Sequence, residues 1–272
     1  MKIFRSRRDK SKNPVVDVVP PAISIENFTL CDRDGLTLLL DRTSMVDQFM
    51  IDRGHWESNH INLMREAVRK LLVPTNGVFL DVGAYWGLYA MRAVQEGAKE
   101  VHAFEPDPRN YAQLQAQLFL NDMLDAVSIH SLAASDAEGS TLFRKSVQGQ
   151  NRAGAGIPRG KKGGSVEVAK IRLDDMFDWN GRSIVVKMDV EGHEPFALRG
   201  MANLVKRNEV LLQAEVFDHD REATMAAAKE IGLRHILTVH VDRYLTNMSD
   251  QDLCWFYEKA NEIGLRPLDD QV

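Results

Sequence analysis

The chain has 272 residues, 44% apolar and 27% charged, with a net charge of −5 at neutral pH. That length holds one large domain with an extension, or two small ones, and the composition is that of a globular protein with a sizeable core. The acidic balance disfavours general nucleic-acid or anionic-membrane binding, no run approaches the roughly 20 apolar residues of a membrane span, and Cys31 and Cys254 are too few and too scattered for a disulfide framework or a cysteine-based zinc site.

Residues 1–21 read as a basic, disordered tail ending at Pro20–Pro21. No apolar stretch of a signal peptide follows its charged start, so a cytoplasmic protein without stable membrane insertion is expected. Residues 22–75 read as an extension. Ile-Glu-Asn-Phe-Thr-Leu and Leu-Thr-Leu-Leu-Leu flank the turn signal Asp32-Arg33-Asp34-Gly35, which predicts a hairpin over 23–40. Ser58 is the expected N-cap of a helix in which Ile61, Met64, Val68 and Leu71 recur at spacings of three and four; Pro74 ends it. This extension suits a lid or a dimer contact, and the residues choose neither; the oligomeric state stays open.

From Val78 onward, strands alternate with helices, and residues 76–265 read as one domain. Strands are expected at 78–80, 101–104, 127–132, 184–188, 210–216, 235–239 and 253–257, with helices over 86–96, after the Asp107 cap with Pro108 at its first position, from Pro195, and over 220–231. Such alternation predicts a mostly parallel sheet covered on both faces. The last two strands lack a convincing helix between them, which predicts an antiparallel pair at one edge. Residues 147–164, rich in Gly, Arg and Lys, interrupt the rhythm between strands at 140–144 and 165–171. They read as a mobile loop, either a solvated hairpin tip or a lid over the substrate.

The most informative stretch is Phe79-Leu80-Asp81-Val82-Gly83-Ala84-Tyr85-Trp86-Gly87, where a strand turns into a helix. Gly83 permits a sharp turn and close ligand approach, and Gly87 lets the next helix pack closely. A nicotinamide or flavin site needs Gly-x-Gly-x-x-Gly, but Asp81 stands where the first glycine should be. Its carboxylate would repel a pyrophosphate in a poorly screened cleft and favour the ammonium and sulfonium of S-adenosylmethionine. Glu105, in Phe104-Glu105-Pro106 at the end of the second strand, is placed to accept the hydroxyl protons of an adenosine ribose. Ser131 to Ala134, after the third strand, would lie beside the adenine.

A second motif, Lys187-Met188-Asp189-Val190-Glu191-Gly192-His193-Glu194…Leu198-Arg199-Gly200, ends the fourth expected core strand. Together with Leu80-Asp81-Val82-Gly83-Ala84…Gly87, Phe104-Glu105-Pro106…Asn110, Ala134-Ser135-Asp136…Gly139 and Leu173-Asp174, it resembles the FkbM family of methyltransferases. Gly54-His55-Trp56-Glu57 resembles the approach to that family's core, and the resemblance runs from about residue 54 to 217. Tyr85-Trp86 departs from it, standing where a small polar pair is more usual. The loop at 147–164 also looks long, which bears on substrate identity. The resemblance implies a Rossmann-like class I methyltransferase fold of seven strands and methyl transfer to a hydroxyl of a small-molecule acceptor, a sugar or a natural product; the acidic balance counts against a nucleic-acid partner.

Such transfer needs alignment of acceptor, methyl carbon and sulfur, which can supply up to about 7–11 kcal/mol, and a base that removes the proton. His193, Asp189 and Glu191 are the candidate bases; His193 has the free pKa best matched to neutral pH. Asp189 also counts among the expected cofactor contacts, with Asp81, Gly83, Ala84, Gly87, Glu105, Pro106 and Ser131. Lys187 faces away from Met188 and is expected to pair with one of these acids. Trp56, Glu57, Tyr85 and Trp86 are candidates for the acceptor wall. A divalent metal is not expected; Asp189 and Glu215, at neighbouring strand ends, are the residues that would hold one. The competing readings are a catalytically silent nucleotide-binding module, a nicotinamide-dependent reductase, and a methyltransferase acting on protein or RNA.

Overall fold

The computed structural model describes residues 25–144 and 165–265. The expected tail at 1–21 and the loop at 147–164 lie outside them. After a 3-10 turn at Ile25–Asn27 comes an antiparallel hairpin, β1 (Phe28–Arg33) and β2 (Leu36–Asp41). Helix α1 (Met45–Arg53) follows, then α2 (Ser58–Ala67), which runs into a single π turn at Val68–Leu72. The main domain continues through β3 (Val78–Val82), α3 (Leu88–Gln95), β4 (Glu100–Phe104), α4 (Pro108–Leu120) and β5 (Ser128–His130). A small sheet comes next, β6 (Ala133–Ala134), β7 (Gly139–Arg144) and β8 (Ser165–Ile171), in the order β6-β8-β7. The last part is α5 (Leu173–Met176), β9 (Ser183–Met188), α6 (Glu194–Arg199), α7 (Ala202–Arg207), β10 (Glu209–Glu215), α8 (Arg221–Glu230), β11 (Arg234–Val239), β12 (Asp242–Thr246) and α9 (Cys254–Glu262).

Seven strands form the central sheet in the order β11-β12-β10-β9-β3-β4-β5. Pairings from β5 through β10 are parallel, and β12 runs antiparallel to both β10 and β11. The sheet is therefore mostly parallel with an antiparallel edge, as the sequence pattern predicts. Alternation along each strand separates two cores. Leu80, Val82, Val186 and Met188 face a core with α6 to α8, while Phe79, Val185 and Leu211 face the other. Leu36, Leu38 and Leu40 of the hairpin join that second core and are fully buried, each contributing about 1.5–3 kcal/mol relative to an exposed leucine.

Three expectations need correction. The run 253–257 is not a strand: Leu253, Phe256 and Ala260 are buried at helical spacing, and the segment opens α9. The final strand among the described residues is β12, concealed by its charged start, Asp242-Arg243, both of which are buried. The expected strand at 127–132 leaves the central sheet after His130, and its continuation pairs with β8 instead. In addition, Ser58 is the first residue of α2 and not its cap, which is Glu57 in a left-handed conformation. The Asp107 cap is as expected, its side chain accepting the amides of Arg109 (2.8 Å) and Asn110 (3.2 Å). Among the described residues no helix is long and apolar enough to cross a membrane.

Candidate active site

Because β3, β4, β9 and β10 are parallel, their carboxyl ends lie along one rim of the sheet. The segments leaving them enclose a cavity of about 220 Å³. Asp81, Gly83, Ala84, Glu105, Pro106, Asp189, Glu191, His193 and Glu215 all line it. Two expected cofactor residues do not. Ser131 is exposed outside the lining, where Leu132, Ala133 and Ala134 take its place, and Gly87 packs against Leu114 of α4.

The first loop is held by backbone contact. Gly83 has φ +84°, and a Cβ there would sit 1.8 Å from the carbonyl oxygen of Asp189. The ends of β3 and β9 are thus as close as two backbones allow, and the Asp189 amide donates to the Val82 carbonyl at 2.8 Å. Asp81 is buried, and its Oδ2 accepts the Ala90 amide at 2.9 Å, so it caps the first turn of α3 from the preceding strand. Burial pushes its pKa up to about 7. Glu105 accepts the amides of Tyr85 (2.8 Å) and Asp107 (2.7 Å), and burial raises its pKa to about 8. Those two bonds hold the carboxylate still while leaving lone pairs for a ligand diol.

At the opposite wall, Asp189 and Glu215 hydrogen-bond to each other. Burial raises both, and the Asp189 charge raises Glu215 further. Asp189, Glu191 and Glu215 each offer a carboxylate oxygen, and these lie within 4.8 Å of one another, a set able to hold a divalent cation. Glu194 is buried and accepts the amides of Val190 (3.0 Å) and Gly192 (3.3 Å), which shapes the loop carrying Glu191. His193 lines the cavity, but its Nε2 lies 3.0 Å from Ser135 Oγ and its ring stacks on Phe196 at 4.6 Å. Glu57, Tyr85 and Glu191, all lining the cavity, have positive φ, a strained conformation that collects at functional sites.

Sequence reasoning missed two features. One is Asp47 of α1, fully buried, which accepts from Asp41 N, Ser44 Oγ, Tyr85 Oη, Trp86 Nε1 and Gln113 Nε2. It ties the extension to the cofactor loop and explains the Tyr85-Trp86 pair. The other is a buried polar row in register across four strands, Asp81, Lys187, Gln213 and Tyr244. Lys187 Nζ lies 3.9 Å from Asp189 and 3.7 Å from Asp242, as its strand face predicts. Gln213 donates to Asp242 (2.7 Å), and Tyr244 bonds His60 (2.7 Å). Burial alone would lower the Lys187 pKa; Glu57, Asp242, Asp189 and Glu215 hold it above its ordinary value. The signal was a lysine and a glutamine inside otherwise apolar strands.

The extension also supplies wall. Val46, Trp56 and Glu57 line the cavity, and Tyr89 donates to Glu57 at 2.6 Å. Trp56, Glu57 and Glu215 also border an adjoining cleft of about 450 Å³ that opens past Phe49, His55 and His240.

Among solved structures, the chain is similar to a ribosomal protein L11 methylase from Lactobacillus delbrueckii subsp. bulgaricus, at 14% identity and TM-score 0.41, over 68% of this chain and 75% of that one. It is also similar to TYW2 of M. jannaschii in complex with AdoMet, at 12% identity and TM-score 0.41, over 81% and 84%. A third is a precorrin-6y C5,15-methyltransferase from Geobacter metallireducens GS-15, at 14% and 0.41, over 67% and 84%. No curated protein is close enough in sequence to be matched. The family described as the methyltransferase FkbM domain matches residues 81–251, more than half of the chain. That span starts after Gly54-His55-Trp56-Glu57 and reaches beyond the expected end at 217. With the seven-stranded order and the strand-end acids, it identifies the chain as a member of the FkbM family of S-adenosylmethionine-dependent methyltransferases, on the Rossmann-like class I fold.

Proposed function

We propose that this methyltransferase transfers the methyl group to a hydroxyl oxygen of a small, neutral or cationic acceptor, such as a sugar or a natural product bearing one. The observation that carries this reading is the junction of cofactor cavity and side cleft, bordered on both sides by Trp56, Glu57 and Glu215, with Asp189 lining the cofactor side. Carboxylates and an aromatic face suit a polyol, and the same acids repel an anionic acceptor.

The cavity fits S-adenosylmethionine. It is lined by acids, its first loop is open backbone at Gly83 and Ala84, and Glu105 stands at the second strand end with lone pairs to spare. When bound, the cofactor supplies an electrophilic methyl carbon together with its own leaving group. Gly83, Ala84, Glu105, Pro106 and the segment Leu132, Ala133 and Ala134 would hold it. Asp189 takes the hydroxyl proton on its carboxylate, and Glu215, its hydrogen-bond partner, fixes its orientation. His193 has the lesser claim to be the base, because Ser135 and Phe196 already hold its ring.

The test is calorimetric titration with S-adenosylmethionine and S-adenosylhomocysteine, followed by an acceptor screen over neutral, amino and acidic sugars. Asp189→Asn should lower kcat by about 10²–10⁴-fold with S-adenosylhomocysteine affinity nearly unchanged. Equal activity of Asp189→Asn and wild type would remove Asp189 as the base, and transfer to peptides alone would remove the small-molecule reading. A second reading, metal-assisted transfer, is favoured by the convergence of Asp189, Glu191 and Glu215. Activity lost on chelation and restored by magnesium would select it; full activity after exhaustive chelation rejects it.

A further inference from the structure

The side cleft is larger than the cavity assigned to the cofactor, about 450 Å³ against about 220 Å³. A single hexose is less than half the size of S-adenosylmethionine, so one ring at the junction fills only part of the cleft. One wall is set by the chain reversal after α1. Gly54 caps that helix in the left-handed region (φ +78°), its amide donating to the Met50 carbonyl at 2.9 Å, and the chain turns so that His55 and Trp56 fold back on Phe49. The Phe49 ring meets His55 at 5.9 Å and Trp56 at 5.4 Å, edge to face in both cases. Phe49 is still 40% exposed, and all three rings line the cleft. Glu57, Ser58 and Asn59 add hydrogen-bonding side chains to the same lining. Aromatic rings beside carboxylate, hydroxyl and amide groups suit a sugar, whose ring has an apolar C–H face and a rim of hydroxyls. A flat apolar aglycone would leave those polar groups without partners.

We propose that the side cleft is a second acceptor subsite, which holds a sugar ring next to the one that is methylated, so that the enzyme selects glycosides of two or more rings over free monosaccharides. This rests on the reading of the enzyme as a transferase to a hydroxyl of a small molecule. Phe49 and His55 are the specificity-determining residues, because they line the cleft alone, whereas Trp56, Glu57 and Glu215 border both spaces. The ring at the junction presents its hydroxyl to the methyl group, and the ring on Phe49 fixes which hydroxyl arrives there. Binding energy gained away from the reacting atoms is thereby turned into orientation.

The experiment is ligand-observed NMR on the full chain loaded with S-adenosylhomocysteine, followed by methyl-transfer kinetics with the sugars that bind. The probes are methyl glycosides, aryl glycosides, disaccharides and trisaccharides of glucose, galactose, mannose and N-acetylglucosamine. At least one disaccharide should bind about 5–30-fold more tightly than the methyl glycoside of either of its rings, the worth of one further packed aromatic contact. Phe49→Ala should remove most of that preference and Phe49→Tyr should keep it, and in kinetics the loss should fall on KM more than on kcat. Thermal melts establish that the variants are folded, and His55→Ala, at an exposed residue of the same wall, serves if Phe49→Ala unfolds. Equal affinity for one ring and two, no binding of any disaccharide or trisaccharide, or a preference that survives Phe49→Ala overturns the proposal. So does tighter binding of aryl glycosides than of disaccharides, since the cleft would then read an aglycone. A dimer that becomes a monomer in Phe49→Ala with sugar affinity unchanged overturns it too, because the cleft would then be a contact between copies. If acceptors of one and two rings are methylated equally well, the subsite alone fails and the small-molecule reading stands; if only peptides are methylated, it is that reading which fails.

Discussion

At the scale of single residues, the site is built on backbone proximity as much as on side chains. Gly83 is the sharpest case. Alanine there would place a Cβ 1.8 Å from the Asp189 carbonyl oxygen and hold a left-handed conformation at φ +84°. The conformation alone costs about 1–2 kcal/mol, and relieving the clash separates β3 from β9, breaking the bond between Asp189 N and Val82 O. Gly83→Ala is therefore expected to lose about 2–5 kcal/mol in urea unfolding and to bind S-adenosylhomocysteine poorly in calorimetry. A variant with an unchanged urea midpoint would show that the two strand ends are not in contact. The opposite lesson comes from Asp81. Its acidity pointed to the cofactor class, yet one of its oxygens accepts the Ala90 amide of the helix behind it. A residue that both caps α3 and lines the cavity links helix position to ligand position.

At the scale of elements, the extension is part of the site. Asp47 receives five donors from α1, the hairpin, the cofactor loop and α4, and is fully buried. Asp47→Ala leaves those donors unpaired and is expected to cost about 2–4 kcal/mol. Hydrogen exchange should speed up together in residues 36–41 and 84–86; acceleration confined to α1 would contradict this coupling. Helix α1 was hard to read because its buried face holds Val46, Asp47 and Met50, while Met45 and Phe49 are the exposed apolar residues. Apolar spacing then marks no buried side. Asp81, Gly83, Glu105 and Asp189 were legible because each sits at a strand end, a local signal. Asp47 and the row through Lys187 and Gln213 acquire meaning only from partners far away in the chain. Short aromatic runs mislead in the same way: 253–257 has strand composition, and only the burial of Ala260 reveals the helical period.

At the scale of the whole molecule, burying acids makes stability depend on pH. Asp81, Glu105 and Glu194 have pKa values raised to about 7, 8 and 7, in each case mainly by burial. A carboxyl whose pKa is higher folded than unfolded binds more protons in the folded state. Stability from these groups is therefore fully present below their unfolded pKa values and lost as pH rises from about 4 to about 8. Thermal midpoints of the cofactor-free protein should fall from about pH 5 to about pH 8, and Glu105→Gln should flatten the slope. Midpoints that climb through this window would mean that these acids are ionised in the fold. The parallel centre of the sheet was legible because each strand is a near-continuous apolar run. The antiparallel edge was legible as an arrangement, but its strand β12 was not placed, because it carries buried charges.

The position of β12 has a consequence for synthesis. It follows both β10 and β11 in the chain, yet it lies between them. On a nascent chain emerging from the ribosome, β11 has no neighbour to join, and the outer edge of β10 stays bare, until Thr246 has cleared the exit tunnel. The strand bearing Glu215 is thus open to foreign pairing during translation, and β12, made after both of its neighbours, closes the gap from within.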